Sequence, residues 1–389
     1  MSEHPPVPST GQRLHALDNL RALLMWLGIV LHVEAIYATQ HLPNAWRDEQ
    51  RTLVADVVVS SIHAFRMPAF FILGGFFAAL LARSRGPDGL LRHRLLRLGL
   101  PFALFWPPLW LASGLAALFF MNRMVLHRWG LDPGVLPELP ILGGPNTIHL
   151  WFLWMLLWLC VFTAALWRLP RAWFAPAEAA LAWLARQPWA CVALALPLLL
   201  ASAAYPNAVL QPAGAFLPEW NEWLYYGSFF VFGLMLHGRQ AELFARFQRH
   251  WAGYAVAGLA CYLIAFAVAL RQGPALLIGY SYHCIAWLWS FAAIGLALRW
   301  LSSRQAVLGY LADSAYWVYL VHYPLTILFG ALLFEQPLPA AAKIALNITA
   351  TTLVCLGSYA LFVRHGWISQ LLNGKRHPRR PRGPAREPA

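Results

Sequence analysis

ALDNLRALLMWLGIVLHVEAIY, residues 16–37, sets the reading of the whole chain. A polar entrance of Asp18, Asn19 and Arg21 leads into an apolar run of membrane-spanning length, which His32 interrupts eleven residues after Arg21. At about 100° per residue, eleven steps fall about 20° past three full turns, so Arg21 and His32 share one helix face about 16 Å apart along the axis. Ionisable groups at membrane depth are expensive, and the default reading places them against a protein interior or a wet cavity where they do chemistry. The competing reading has Arg21 anchoring the helix at the headgroups and His32 donating to a neighbouring helix.

Composition agrees with a membrane setting. The 389 residues are 60% hydrophobic and only 12% charged, with a mean hydropathy of +0.53; a soluble domain carries about a quarter charged residues. The first apolar run is of span length and no small-residue cleavage site follows it, so a cleavable signal peptide is not expected. The five cysteines sit in or beside apolar runs without a CxxC pair, which points to small buried hydrophobes and to neither a disulfide framework nor a metal site.

Apolar runs predict an all-α membrane protein of ten spans, at about 17–38, 57–82, 98–120, 149–168, 189–206, 222–237, 251–270, 279–298, 307–330 and 344–363. Residues 1–15 read as a short polar lead, 16–364 as one membrane domain, and 365–389 as a disordered, basic, Pro-rich tail. The net charge of +13 is distributed by side: 21 of the 29 Lys and Arg fall in one alternating set of connections together with both termini. That is the positive-inside pattern for an even number of spans with both ends in the cytoplasm. The charge is therefore a topology signal, and the tail is suited to anionic lipid, with no nucleic-acid partner expected.

Several spans carry residues of chemical interest. In IHAFRMPAFFILGGFF, residues 62–77, His63 and Arg66 precede Pro68, Gly74 and Gly75, so this helix can bend and approach a neighbour closely. Arg66 either ties up carbonyls freed by Pro68 or meets a substrate anion. The connection before the third span holds Arg92, Arg94 and Arg97, the last two adjacent on a helix. Their planar forks suit phosphate, while a plain positive-inside cluster is the alternative. HLWFLWMLLW places His149 ahead of a stripe of Trp151, Trp154 and Trp158, either packing or a platform for sugar rings. His283 lies near the outer face, and Tyr316, Tyr319, His322 and Tyr323 run up the ninth span ahead of the bend at Pro324. Arginines thus crowd the cytoplasmic mouth, and His32, His63, His149, His283 and His322 lie from mid-depth outward. A polyanionic donor from inside and an acceptor from outside would meet at a base that works near neutral pH.

LDNLRALLMWLGIVLH, FRMPAFFILGGFF, the arginines ending in RLGLP, HLWFLW and YWVYLVHYPL together resemble the multispanning membrane O-acyltransferases of acyltransferase family 3, over about residues 13–364. The wording is closest to the branch associated with succinylation of osmoregulated periplasmic glucans. The resemblance implies a multi-pass protein of the bacterial inner membrane that transfers an acetyl or succinyl group from cytoplasmic acyl-CoA, a donor substrate with no tightly bound cofactor, to a hydroxyl of a periplasmic glycan or other envelope molecule. It implies catalysis by Arg21 and His32 and donor binding by Arg94 and Arg97; the residues themselves add the expectation that His322 assists and that Arg92, Arg21 and Arg66 help hold the donor. His149, Trp151, Tyr316, Tyr319, His283 and His63 would lie on the acceptor side. Gly74 and Gly75 stand where many relatives have Ser-Gly, so no role of that serine transfers here. A proton-coupled transporter using the histidines as a relay is the rival reading. Whether a histidine is transiently acylated and whether the chain forms a homodimer stay open.

Overall fold

The computed structural model describes residues 10–40, 46–138, 145–303 and 305–378. It is all-α: α1 (Thr10–Glu34), α2 (Leu53–Arg94), α3 (Leu100–Leu126), α4 (Trp151–Leu166), α5 (Ala175–Ala185), α6 (Ala190–Ser202), α7 (Trp220–Gly238), α8 (Gln240–Leu270), α9 (Ala275–Trp300), α10 (Ala306–Leu333), α11 (Ala340–Ser358) and α12 (Trp367–Asn373). Among the described residues, seven helical stretches are long and apolar enough to cross a membrane. One of them, Leu53–Leu126, contains two of the expected spans. It is broken at Gly86, whose φ of 72° belongs to the left-handed region, and it continues into α3 through a π-helical turn at Leu95–Gly99.

Each of the ten expected runs falls on a helix, but two do not reach span length with the apolarity that the others have. The run at 189–206 forms only the 13 residues of α6, because the chain turns at Tyr205–Pro206. α7 begins at Trp220 with a capping box between Glu219 and Glu222, which satisfies the exposed N–H groups of its first turn. The lead and the tail are shorter than expected. α1 already begins at Thr10, and α12 lies within the stretch expected to be a disordered tail. Residues 1–9 and 379–389, the rest of those segments, lie outside the described residues.

α8 packs along α9, α2 along α7, and α1 along α10. The α2–α7 crossing depends on two glycines facing each other. A Cβ on Gly75 would stand 2.0 Å from the Phe230 carbonyl oxygen, and one on Gly233 would stand 2.0 Å from that of Ile72. Only bare backbone permits this approach. α8 turns Val256, Leu259, Leu263 and Ile264 outward, an apolar face suited to lipid. On another side, Asp48 in the α1–α2 connection forms a buried ion pair with Lys343 of α11 at 2.9 Å. The Asp48 N–H also donates to the Ile36 carbonyl. These bonds pin the end of α1 beside the helices that carry the site.

Candidate active site

α1, α10 and the short 3-10 turn Ile148–Leu150 that leads into α4 bring three imidazoles together. The rings of His32 and His322 are 5.3 Å apart, and those of His149 and His322 are 5.4 Å apart. Tyr323 lies between them, edge-on to His32 at 4.9 Å and stacked on His149 at 4.8 Å. Trp46, from the α1–α2 connection, packs against the other side of Tyr323.

Backbone carbonyls of α10 fix two of the tautomers. His322 Nδ1 is 3.0 and 2.9 Å from the carbonyls of Val318 and Tyr319, so it carries the proton and donates. His149 Nε2 likewise donates to Leu320 at 2.9 Å and to Tyr319 at 3.1 Å. Their opposite nitrogens, His322 Nε2 and His149 Nδ1, are buried and have no partner among the described residues. Two lone pairs are therefore left for something other than the protein, an arrangement that native interiors tolerate where function requires it. Tyr319 contributes by donating its hydroxyl to the His149 carbonyl at 3.0 Å, which ties α10 to the start of α4.

Arg66 of α2 reaches the same cluster. Its Nε donates to the Leu24 carbonyl at 2.8 Å, so it holds a carbonyl of α1 and not one freed by Pro68. A Cβ on Gly28 would stand 2.6 Å from Arg66 Nη2 and 3.2 Å from His322 Nε2. Glycine here leaves room for a guanidinium and an imidazole at one point of α1. His63, one turn earlier on α2, is close enough to interact electrostatically with both Arg66 and His32.

Toward the arginine-rich end, a cavity of about 70 Å³ is lined by Arg21, Arg94, Tyr316, Met25, Phe70 and Leu153 among others. Arg21 is half-exposed, pairs with Asp18 at 3.1 Å and lies over the Phe77 ring. Arg94 Nε is buried without a partner among the described residues, whereas Arg92 is exposed. Arg97, three residues on, engages a different element. The π-helical turn at Leu95–Gly99 is wider than an α-turn, and Arg97 points to α12, where Nη1 donates to the carbonyls of Gln370 and Leu371 at 2.7 Å each. Asp313 holds the same segment through Lys375 at 2.7 Å and His377 at 3.0 Å.

Two expected site residues lie elsewhere. His283 is fully buried between α6, α7 and α9; its Nε2 is 2.7 Å from Ser202 Oγ and 3.0 Å from the Ala208 carbonyl, and its Nδ1 faces the Tyr225 hydroxyl. Trp151 packs on Tyr226 and Phe71, and Trp154 stacks on Phe102, so both belong to the aromatic core. Tyr316 is in the cavity wall, with its hydroxyl donated to the Arg97 carbonyl at 2.7 Å. Sequence reading missed Gly28 and gave Tyr323 no role of its own. The i, i+3, i+7 spacing of Tyr316, Tyr319 and Tyr323 was the available signal for the second, and nothing local marks the first. Among the described residues no three His, Cys, Asp or Glu side chains are grouped to hold a metal ion.

Residues 14–363 match the profile of the acyltransferase domain family. The chain is 28% identical over 350 residues to proteins called Glucans biosynthesis protein C from Salmonella paratyphi B and Salmonella dublin, a match covering 82% of this chain and 84% of theirs. The protein of that name from Salmonella paratyphi A is 29% identical over the same length. No solved structure matches the chain.

Proposed function

The chain belongs to the acyltransferase domain family, and from that premise we propose that it moves an acetyl or succinyl group from cytoplasmic acyl-CoA to a hydroxyl of an envelope glycan. The name of its relatives points to a glucan acceptor. In this reading the protein crosses the bacterial inner membrane ten times, with both termini in the cytoplasm. The observation that carries the reading is the cluster of His32, His149 and His322 directly beyond a cavity walled by Arg21 and Arg94.

The phosphates of CoA dock at Arg92, Arg94 and Arg21, where guanidinium forks match their oxygens. The pantetheine arm follows the cavity, and the thioester comes to rest beside His32. His32 takes the proton of the acceptor hydroxyl as that oxygen attacks the carbonyl carbon. The C–S bond then breaks and the departing thiolate recovers the proton, leaving an ester and free CoA. His322 and His149, with tautomers set by α10, accept hydrogen bonds from the incoming hydroxyl or its sugar neighbours.

Purified protein incubated with acetyl-CoA or succinyl-CoA and gluco-oligosaccharides tests this reading. Free CoA should appear only when acceptor is present, together with acylated sugar detected by mass spectrometry. Sugar movement across proteoliposomes without acyl-CoA, and no CoA release, would replace the transferase reading with a transporter.

A further inference from the structure

We propose that Arg66 is a catalytic residue whose guanidinium stabilises the oxyanion formed when the thioester carbonyl is attacked, a role that rests on the transferase reading above. Arg66 is only 6% exposed, and among the described residues it has no carboxylate partner; its single hydrogen bond uses Nε. A buried cation without a counter-charge is strongly disfavoured unless an anion arrives. The contrast with Lys343, equally buried and paired with Asp48, is direct.

Position selects which anion. The point where Arg66 Nη2 and His322 Nε2 close on Gly28 lies one turn, about 6 Å, on the Arg21 side of His32 along α1. The guanidinium carbon is 6.0 Å from the centre of the Phe70 ring, and Phe70 lines the cavity that begins at Arg21 and Arg94. Arg66 therefore stands between the end of the donor cavity and the histidine cluster, where the carbonyl of a thioester directed at His32 must pass. The distal carboxylate of a succinyl group would project beyond the carbonyl, away from CoA and past this level. As the acceptor oxygen bonds to the carbonyl carbon, the C=O electron pair moves onto oxygen and faces the guanidinium, which the lack of a Cβ on Gly28 lets sit beside His322 Nε2. The hydroxyl proton goes to His32. On collapse the C=O bond re-forms, the C–S bond breaks, and the thiolate takes the proton back. A fixed cation aimed at the developing charge is the arrangement that lowers this barrier.

The test uses the full-length protein in nanodiscs, with acetyl-CoA and succinyl-CoA as donors and a gluco-oligosaccharide as acceptor. Arg66→Met is expected to lower kcat by about 10²- to 10³-fold, equally for both donors, with the KM for donor and the affinity for free CoA unchanged. Arg66→Lys should recover part of the rate. A dithioester analogue, in which sulfur replaces the carbonyl oxygen, should slow the unaltered protein strongly and Arg66→Met hardly further, a discrimination that a purely structural arginine would not produce. Should Arg66→Met fail to fold, Arg66→Lys and Gly28→Ala, whose Cβ would press on Nη2 and displace the guanidinium, carry the same comparison. A change within threefold, a loss confined to succinyl-CoA, or a loss expressed in KM overturns the assignment. Absence of acceptor-dependent CoA release from the unaltered protein removes the transferase reading and this inference with it.

Discussion

His283 and the pair His149–His322 are all buried imidazoles in helical spans, yet they are built differently. Both ring nitrogens of His283 face protein partners, Ser202 and Ala208 on one side and Tyr225 on the other. His149 and His322 each use one nitrogen on α10 and leave the other without a partner among the described residues. The same division separates Lys343, matched by Asp48, from Arg66, which among the described residues has a carbonyl as its hydrogen-bond partner and no carboxylate. Burial of a polar group inside a membrane protein does not by itself mark function, because a satisfied network stabilises the fold equally well. Among the described residues other buried polar atoms also lack a partner, Ser113 Oγ, Trp158 Nε1 and the Tyr359 hydroxyl among them; what sets this site apart is that two such nitrogens, on His149 and His322, belong to neighbouring rings beside Arg66.

Six substitutions bear on that contrast. The largest effect is expected at His32. His32→Ala should fold normally, checked by size-exclusion chromatography and thermal unfolding, and lose about 10² to 10⁴ in acyl transfer; full transfer by the variant would end the division between working and structural histidines. Next in size, Lys343→Met should leave Asp48 buried and unmatched, lowering stability by about 3–5 kcal/mol in thermal unfolding. Adding Asp48→Asn should restore most of it, with kcat of the folded fraction unchanged throughout.

A smaller difference is expected between His322→Gln and His283→Gln. The former should slow transfer about tenfold, near 1.4 kcal/mol and the value of one good hydrogen bond, with little change in melting temperature. The latter should lower the melting temperature and leave turnover within threefold. Reversal of the two outcomes would mean that unpartnered nitrogens do not identify the site. Least of all, Glu335 joins Arg123 at 2.6 Å and His127 at 2.6 Å. The hydrogen bond with His127, then the charge of Arg123, hold its carboxyl below the usual glutamate range. A carboxyl held low in the folded state adds stability above its unfolded pKa and loses it as pH falls through the folded value. Melting temperature should therefore drop more steeply on acidification in the unaltered protein than in Glu335→Gln; parallel curves would show that this outer cluster contributes nothing.

Much of the architecture was legible in the residues because hydrocarbon is an undemanding reader: any long apolar run must close its backbone hydrogen bonds within a helix. All ten runs accordingly fall on helices, and Arg21 and His32 lie on the single continuous helix α1. Periodicity was a poorer guide where the helix departs from 3.6 residues per turn. Arg94 and Arg97 were expected side by side, and the π-helical turn at Leu95–Gly99 sends one to the cavity and the other to α12. Composition likewise marked the C-terminal stretch as disordered, whereas Asp313 and Arg97 hold α12 in place.

The sequence by itself determined that this is an all-helical membrane protein and which residues are ionisable within its apolar runs, since both follow from local composition and spacing; the family followed from the likeness of its motifs. Tertiary structure alone decided which of five histidines meet, that Arg66 turns toward α1 at Gly28, and that His283 serves the framework. Those facts depend on contacts between helices far apart in the chain. The partner of a buried polar atom, or its lack of one, is a property of packing that no window of sequence contains.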